Sequence, residues 1–79
     1  MKREEIIEKV NDFLIDEFEI EESALHLDAH LINDLGIESL DFVDIVVIIE
    51  KEFGFKVKRE EITKVRTLSD LYSYIEKHI

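Results

Sequence analysis

Ser39-Leu40-Asp41-Phe42-Val43-Asp44-Ile45-Val46-Val47-Ile48-Ile49-Glu50-Lys51-Glu52-Phe53-Gly54 is the stretch on which the fold turns. Its centre, Val46-Val47-Ile48-Ile49, is β-branched and short enough to pass for a buried strand. Length decides against that. The apolar pattern runs on, with Asp41, Asp44, Lys51 and Glu52 at helical spacing on both sides, so the reading is a helix over about 39–53. Leu40, Val43, Val46, Val47, Ile49 and Phe53 give it a wide apolar face, and Gly54 supplies the C-cap.

Working outward, Ile6, Ile7, Val10, Phe13 and Leu14 form one stripe of a first helix over about 2–17, with Glu4, Glu5, Glu8, Asp12 and Asp16 on its other side. Residues 19–38 lack clean periodicity. They read as a long loop with room for one short helical turn, pinned by Leu25, Leu27, Leu31, Ile32, Leu35 and Ile37. After Gly54, Phe55-Lys56-Val57 is an extended connector, and a short helical turn over about 59–64 points Ile62 and Val65 inward. The last helix starts near Thr67, where Asp70 three residues on completes a capping pair. Leu68, Leu71, Tyr72 and Ile75 are its apolar stripe; Tyr74, two residues from Tyr72, is expected to be exposed. The expected fold class is all-α, a small bundle of three main helices plus one short helix in a single domain, 1–79.

Composition supports this. Proline is absent and glycine occurs only at 36 and 54, which favours helices over a β-rich fold. A chain of 79 residues buries a modest core, worth on the order of 5 kcal/mol or less. No apolar run approaches the roughly 18 residues of a membrane span, and Met1-Lys2-Arg3-Glu4-Glu5 does not lead into an apolar leader, so the expectation is a cytoplasmic monomer. Without cysteine there is no disulfide and no protein thiol.

The net charge of −10 disfavours nucleic acid and anionic membranes, and favours partners with basic patches. It is unevenly placed. Glu38, Asp41, Asp44, Glu50 and Glu52 outweigh Lys51 in residues 37–52, whereas Lys56, Lys58, Arg59, Lys64, Arg66 and Lys77 outnumber the acids of residues 53–79.

Ser39 is the leading candidate for chemistry. A hydroxyl beside the positive end of a helix dipole can hold a phosphate ester, although serine is also a favoured N-cap. It is not expected to be a catalytic nucleophile: no Gly-x-Ser-x-Gly elbow surrounds it, and no histidine lies near it in sequence. His26 and His30 have the spacing of a helical metal pair but fall in the loop, so they read as surface histidines. Asp28 to Asp34 lacks the glycine and oxygen ligands of an EF-hand, and no metal site is expected.

Gly36-Ile37-Glu38-Ser39-Leu40-Asp41 resembles the phosphopantetheine attachment site of acyl carrier proteins, usually Asp-Ser-Leu, with Glu38 where that family most often has Asp. Asn33-Asp34-Leu35-Gly36 resembles the family's Asp-Leu-Gly stretch. Phe53-Gly54-Phe55 through Thr67-Leu68-Ser69-Asp70-Leu71-Tyr72 resembles its C-terminal half, so the likeness covers nearly the whole chain. The resemblance implies a carrier and not an enzyme. Its 4'-phosphopantetheine, taken from coenzyme A, would be joined to Ser39 by a phosphopantetheinyl transferase, and acyl groups would ride on it as thioesters in fatty acid or related lipid or polyketide synthesis.

The resemblance also implies a recognition face at Glu38, Leu40, Asp41, Asp44, Val47 and Glu50 for acyl-loading, elongating and acyl-transfer enzymes. Core packing is the other reading for Leu40 and Val47, and a solvated face the other reading for the acids. Val43, Val46, Ile49, Phe53, Ile62, Val65 and Leu71 are core, some of them lining an acyl cavity, with Phe42 near the arm. The basic Lys56, Lys58, Arg59, Lys64 and Arg66 depart from the acidic third helix common in general fatty-acid carriers and suggest a specialised carrier. An aminoacyl, peptidyl or D-alanyl carrier, or an unmodified helical interaction module, are the rival readings.

Overall fold

A computed structural model describes residues 2–79; Met1 lies outside the described residues. Four α-helices follow one another: α1 (Arg3–Phe18), α2 (Asp41–Phe53), α3 (Arg59–Ile62) and α4 (Leu68–His78). A single 3-10 turn, Glu22–Ala24, interrupts the long loop between α1 and α2. The all-helical class and the helix order agree with the sequence pattern, and each of the three long helices begins or ends within two residues of its expected bounds.

Local chemistry sets the ends. Glu4 and Glu5 lie in the first turn of α1, where the dipole is positive. That helix stops because Glu19 turns left-handed (φ 55°), its N–H bonding Ile15 O at 3.1 Å while Ile20 N reaches Leu14 O at 3.3 Å. The buried Ile20 then starts the loop. Gly54 ends α2 in the same way, at φ 74°, a conformation that costs glycine nothing. Thr67 and Asp70 form a full capping box at α4: Thr67 Oγ1 accepts from Asp70 N at 3.2 Å, and Asp70 Oδ2 accepts from Thr67 N at 3.2 Å.

The core is one cluster. Ile6, Val10, Phe13 and Leu14 of α1 meet Leu68, Leu71, Tyr72 and Ile75 of α4, and Ile45 and Ile49 of α2 close the third side. Ile62 and Val65 are buried, as the pattern required. The loop contributes Ala29, Leu31 and Ile37, but Leu27 and Ile32, expected as anchors, are exposed. The reason is that main-chain bonds hold this loop as well: Leu31 N donates to Arg66 O at 2.8 Å, Leu68 N to Ala29 O at 3.1 Å and Ser69 N to Leu27 O at 2.9 Å.

Two further expectations are corrected. Val43 is not core: it is 52% exposed, because Ile45 and Ile49 are the residues of α2 that face α1 and α4. Tyr74 is half-buried and not exposed, its hydroxyl donating to Glu61 Oε1 at 3.0 Å and its ring 4.5 Å from His78 by centroids.

Ile49→Ala should lower unfolding free energy by about 2–5 kcal/mol, whereas Val43→Ala should change it by about 0.5 kcal/mol or less; urea titration followed by circular dichroism reads both. Tyr72 gives a second expectation. Burial raises its phenol above the usual tyrosine range, against the lowering effects of Asn11 and Arg3. The unfolded phenol therefore ionises first, and stability is lost as pH rises from the ordinary tyrosine range through the folded value. Tyr74 shifts in the same sense. Tyr72→Phe should flatten, without abolishing, the alkaline fall in thermal midpoint.

Candidate functional site

The start of α2 is held without the Ser39 side chain. The chain tightens before the regular ladder begins: Asp41 N bonds Glu38 O (2.9 Å), Phe42 N bonds Ser39 O (3.2 Å) and Val43 N bonds Leu40 O (3.3 Å). Asp41 Oδ2 reaches back to accept from Glu38 N at 3.0 Å. The carboxylate of Asp41 thus braces the turn ahead of the helix, while α2 itself has Leu40 at its N-cap and no side-chain cap. Among the described residues the Ser39 hydroxyl enters no hydrogen bond, and the residue is exposed. The helix proper begins at Asp41, two residues later than its apolar pattern suggests, and Ser39 sits in the turn that leads into it.

Ser39 lies on a groove of about 680 Å³. One wall comes from the turn and α2: Ser39, Leu40, Phe42, Val43, Val46 and Val47. The other comes from Val57, Arg59, Ile62, Thr63, Val65 and Arg66, and the loop residues His30, Leu31 and Ile32 contribute the rest. The volume falls in the range of small-molecule sites. Leu40 is 80% exposed and Val47 58%, so both stand at the groove's outer edge and not in the core.

The structure divides the residues that sequence reasoning grouped together. Of the cavity candidates, Val43, Val46, Ile62 and Val65 line the groove. Ile49 and Leu71 are buried away from it, and Phe53 lies beneath the Lys9 ammonium, 6.0 Å from its ring centroid. Of the recognition candidates, Glu38, Leu40, Asp44 and Val47 are exposed. Asp41 is bound to Glu38 N, and Glu50 Oε2 accepts from Val57 N at 2.9 Å, which commits it to the connector after α2.

Several wall residues were missed. In sequence Leu31 and Ile32 read as loop anchors, and Arg59 and Arg66 as part of a basic patch that suggests a specialised carrier; nothing local says that they face α2. His30 is also more than a surface histidine: it is half-buried, and its Nδ1 accepts from Ile32 N (3.2 Å) and Asn33 N (3.1 Å). His26 remains exposed, bonded to Asp28 Oδ1 at 3.0 Å, and that bond holds the Asp28 carboxyl below its usual value.

Residues 8–75 match the family model described as a phosphopantetheine attachment site. The chain is 44% identical over 77 residues to the acyl carrier protein of Thermotoga maritima, which covers 98% of this chain and 95% of that protein. It is 35% identical over 78 residues to the acyl carrier protein of Lactobacillus acidophilus (99% and 98%), and 33% identical over 79 residues to that of Coprothermobacter proteolyticus (100% and 96%).

The chain belongs to the acyl carrier protein family. As an acyl carrier protein it bears 4'-phosphopantetheine and carries acyl groups on that arm as thioesters. No helix among the described residues is long and apolar enough to cross a membrane.

Since the Ser39 side chain makes no hydrogen bond among the described residues and α2 has Leu40, not Ser39, at its N-cap, Ser39→Ala should leave helical content unchanged and shift unfolding free energy by about 0.5 kcal/mol or less. Had Ser39 been the N-cap, the same change would cost about 1 kcal/mol. Thermal melts of the two proteins distinguish these outcomes.

Proposed function

We propose that Ser39 is the residue to which the phosphopantetheine arm is joined, and that the groove beside it shelters the acyl chain the arm carries. The supporting observation is an exposed hydroxyl, free of hydrogen bonds among the described residues, on the lip of an apolar groove and at the positive end of α2. Those features fit the group. The hydroxyl is available to an incoming transferase, and a phosphodiester at that helix end gains about 0.3–1 kcal/mol from the dipole. The bound arm supplies a thiol, which this cysteine-free chain lacks.

The protein's own residues then have three tasks. Glu38 and Asp41 brace the turn so that Ser39 stays outward. Val43, Val46, Ile62 and Val65 offer an apolar wall on which cargo can be desolvated. Asp44, with Leu40 and Val47, presents the face that a phosphopantetheinyl transferase and acyl-loading, elongating or acyl-transfer enzymes would grip. Presentation is the whole contribution: the tether raises the local concentration of cargo at each enzyme, and bond-making belongs to the partners. We read the protein as a monomeric cytoplasmic carrier serving a specialised branch of fatty acid, lipid or polyketide synthesis. Cargo trapped on protein isolated from its own cell separates that reading from an aminoacyl, peptidyl or D-alanyl carrier.

Incubation with coenzyme A and a broad-specificity phosphopantetheinyl transferase should add one phosphopantetheine to the intact mass. The gain should be absent in Ser39→Ala. A gain in that variant, or none in the parent under conditions that load a control carrier, refutes the assignment.

A further inference from the structure

The stretch after α2 is basic: Lys56, Lys58, Arg59, Lys64 and Arg66 stand against Glu60 and Glu61. In a chain with 20 acids these cations would be expected to find carboxylates. Among the described residues they do not: the lysine and arginine pairs are Arg3 with Glu76 and Lys9 with Glu52, and the remaining carboxylate pairs are with the imidazoles of His26 (Asp28) and His78 (Glu61). Glu61 is drawn to the far side of α3, where it takes the Tyr74 hydroxyl at 3.0 Å and lies 3.6 Å from His78 Nε2. Glu61 is therefore committed against α4, and of the two acids in this stretch only Glu60 is left near its five cations.

That side borders the groove. Arg59 and Arg66 both line it. An arginine lays its aliphatic stem along apolar surface and keeps its guanidinium in water, so these two set a cationic rim on the α3 side. The opposite edge is formed by Leu40, Val43 and Val47, exposed at 80%, 52% and 58%. By helical spacing Asp44 lies just beyond Leu40 and Val47, on the side turned from the groove. The mouth thus has a protruding apolar crest with an anionic flank on one side and a cationic flank on the other.

We propose that this crest and groove mouth dock an amphipathic helix of a partner enzyme. That helix would carry basic residues on the flank facing Asp44 and acidic residues on the flank facing Arg59 and Arg66. The proposal rests on the carrier reading for the nature of the partner, but the surface is present without any modification. Leu40 argues for a protein occupant: a side chain 80% exposed protrudes to be covered and does not enclose a small ligand. The two-signed rim sets specificity. A helix basic on both flanks would place like charges against Arg59 and Arg66, and would be disfavoured relative to one of matched polarity. The device distinguishes this carrier's partners from enzymes built to grip a uniformly acidic surface.

The test uses the full chain, unmodified, and three synthetic helical peptides with one shared apolar face. One is basic on both flanks, one acidic on both, and one basic on one flank and acidic on the other. Fluorescence anisotropy at physiological salt, where screening confines effects to about 8 Å, gives the ratio of Kd for the all-basic peptide to Kd for the two-signed one. In Arg59→Glu/Arg66→Glu that ratio should fall about tenfold from its parent value, the effect of reversing two exposed pairs. Lys2→Glu/Lys77→Glu, with the same net charge but changes remote from the groove, should leave it as in the parent. A ratio unmoved by the Arg59/Arg66 reversal overturns the proposal, as does an equal fall in the Lys2/Lys77 control. So does Arg59/Arg66-dependent binding to phosphatidylglycerol vesicles with no peptide preference, which would make the rim a lipid contact. Peptide binding does not require a loaded Ser39, so the mass measurement and this one can each fail alone.

Discussion

Three main-chain hydrogen bonds hold the molecule's functional end together. They run from Leu31 N to Arg66 O, from Leu68 N to Ala29 O and from Ser69 N to Leu27 O. They join the loop before α2 to Arg66, in the segment between α3 and α4, and to the first turn of α4. A loop that buries Ala29, Leu31 and Ile37 must satisfy its polar main chain somewhere, and these bonds do so. They also place Val65 and Arg66 opposite the turn that carries Ser39. Remove that tie and both walls of the groove lose their relation to each other, although α1 and α4 could still pack.

The second constraint is the surplus of apolar side chains on α2. A helix packed against one small core needs a single stripe, and Ile45 with Ile49 supplies it. Val43, Val46, Val47 and Leu40 are left to line a groove or face water. A purely structural helix would be more soluble without them. Their presence makes sense if α2 holds the core with one face and offers the other to cargo and partners. The bracing of the turn follows the same logic. Because the Asp41 carboxylate secures Glu38 N, the Ser39 hydroxyl is not needed for structure and is free for the attachment proposed for it.

Much of this was legible from local pattern. The i, i+3, i+4 stripes of α1 and α4, the glycine stop after Phe53 and the Thr67–Asp70 box each depend on residues within a turn or two, and the structure reproduces them. Val43 shows where that reading stops. On α2 apolar residues occupy more than one face, and periodicity alone cannot say which face meets the rest of the bundle. Glu50 and Glu61 show the same limit for charge. Both look like solvated acids in sequence, yet one bonds Val57 N and the other the Tyr74 hydroxyl, partners that only chain reversal brings near.

The sequence by itself therefore determined the helices, their caps, the absence of a thiol and a serine at a helix's leading end. Those are short-range matters of spacing and side-chain chemistry. Tertiary structure alone decided which apolar face of α2 stays open, which acids are spent on internal bonds, and that Arg59 and Arg66 stand across a groove from Leu40 and Val47. These depend on contacts between residues distant in the chain, set when the long loop closes onto the start of α4.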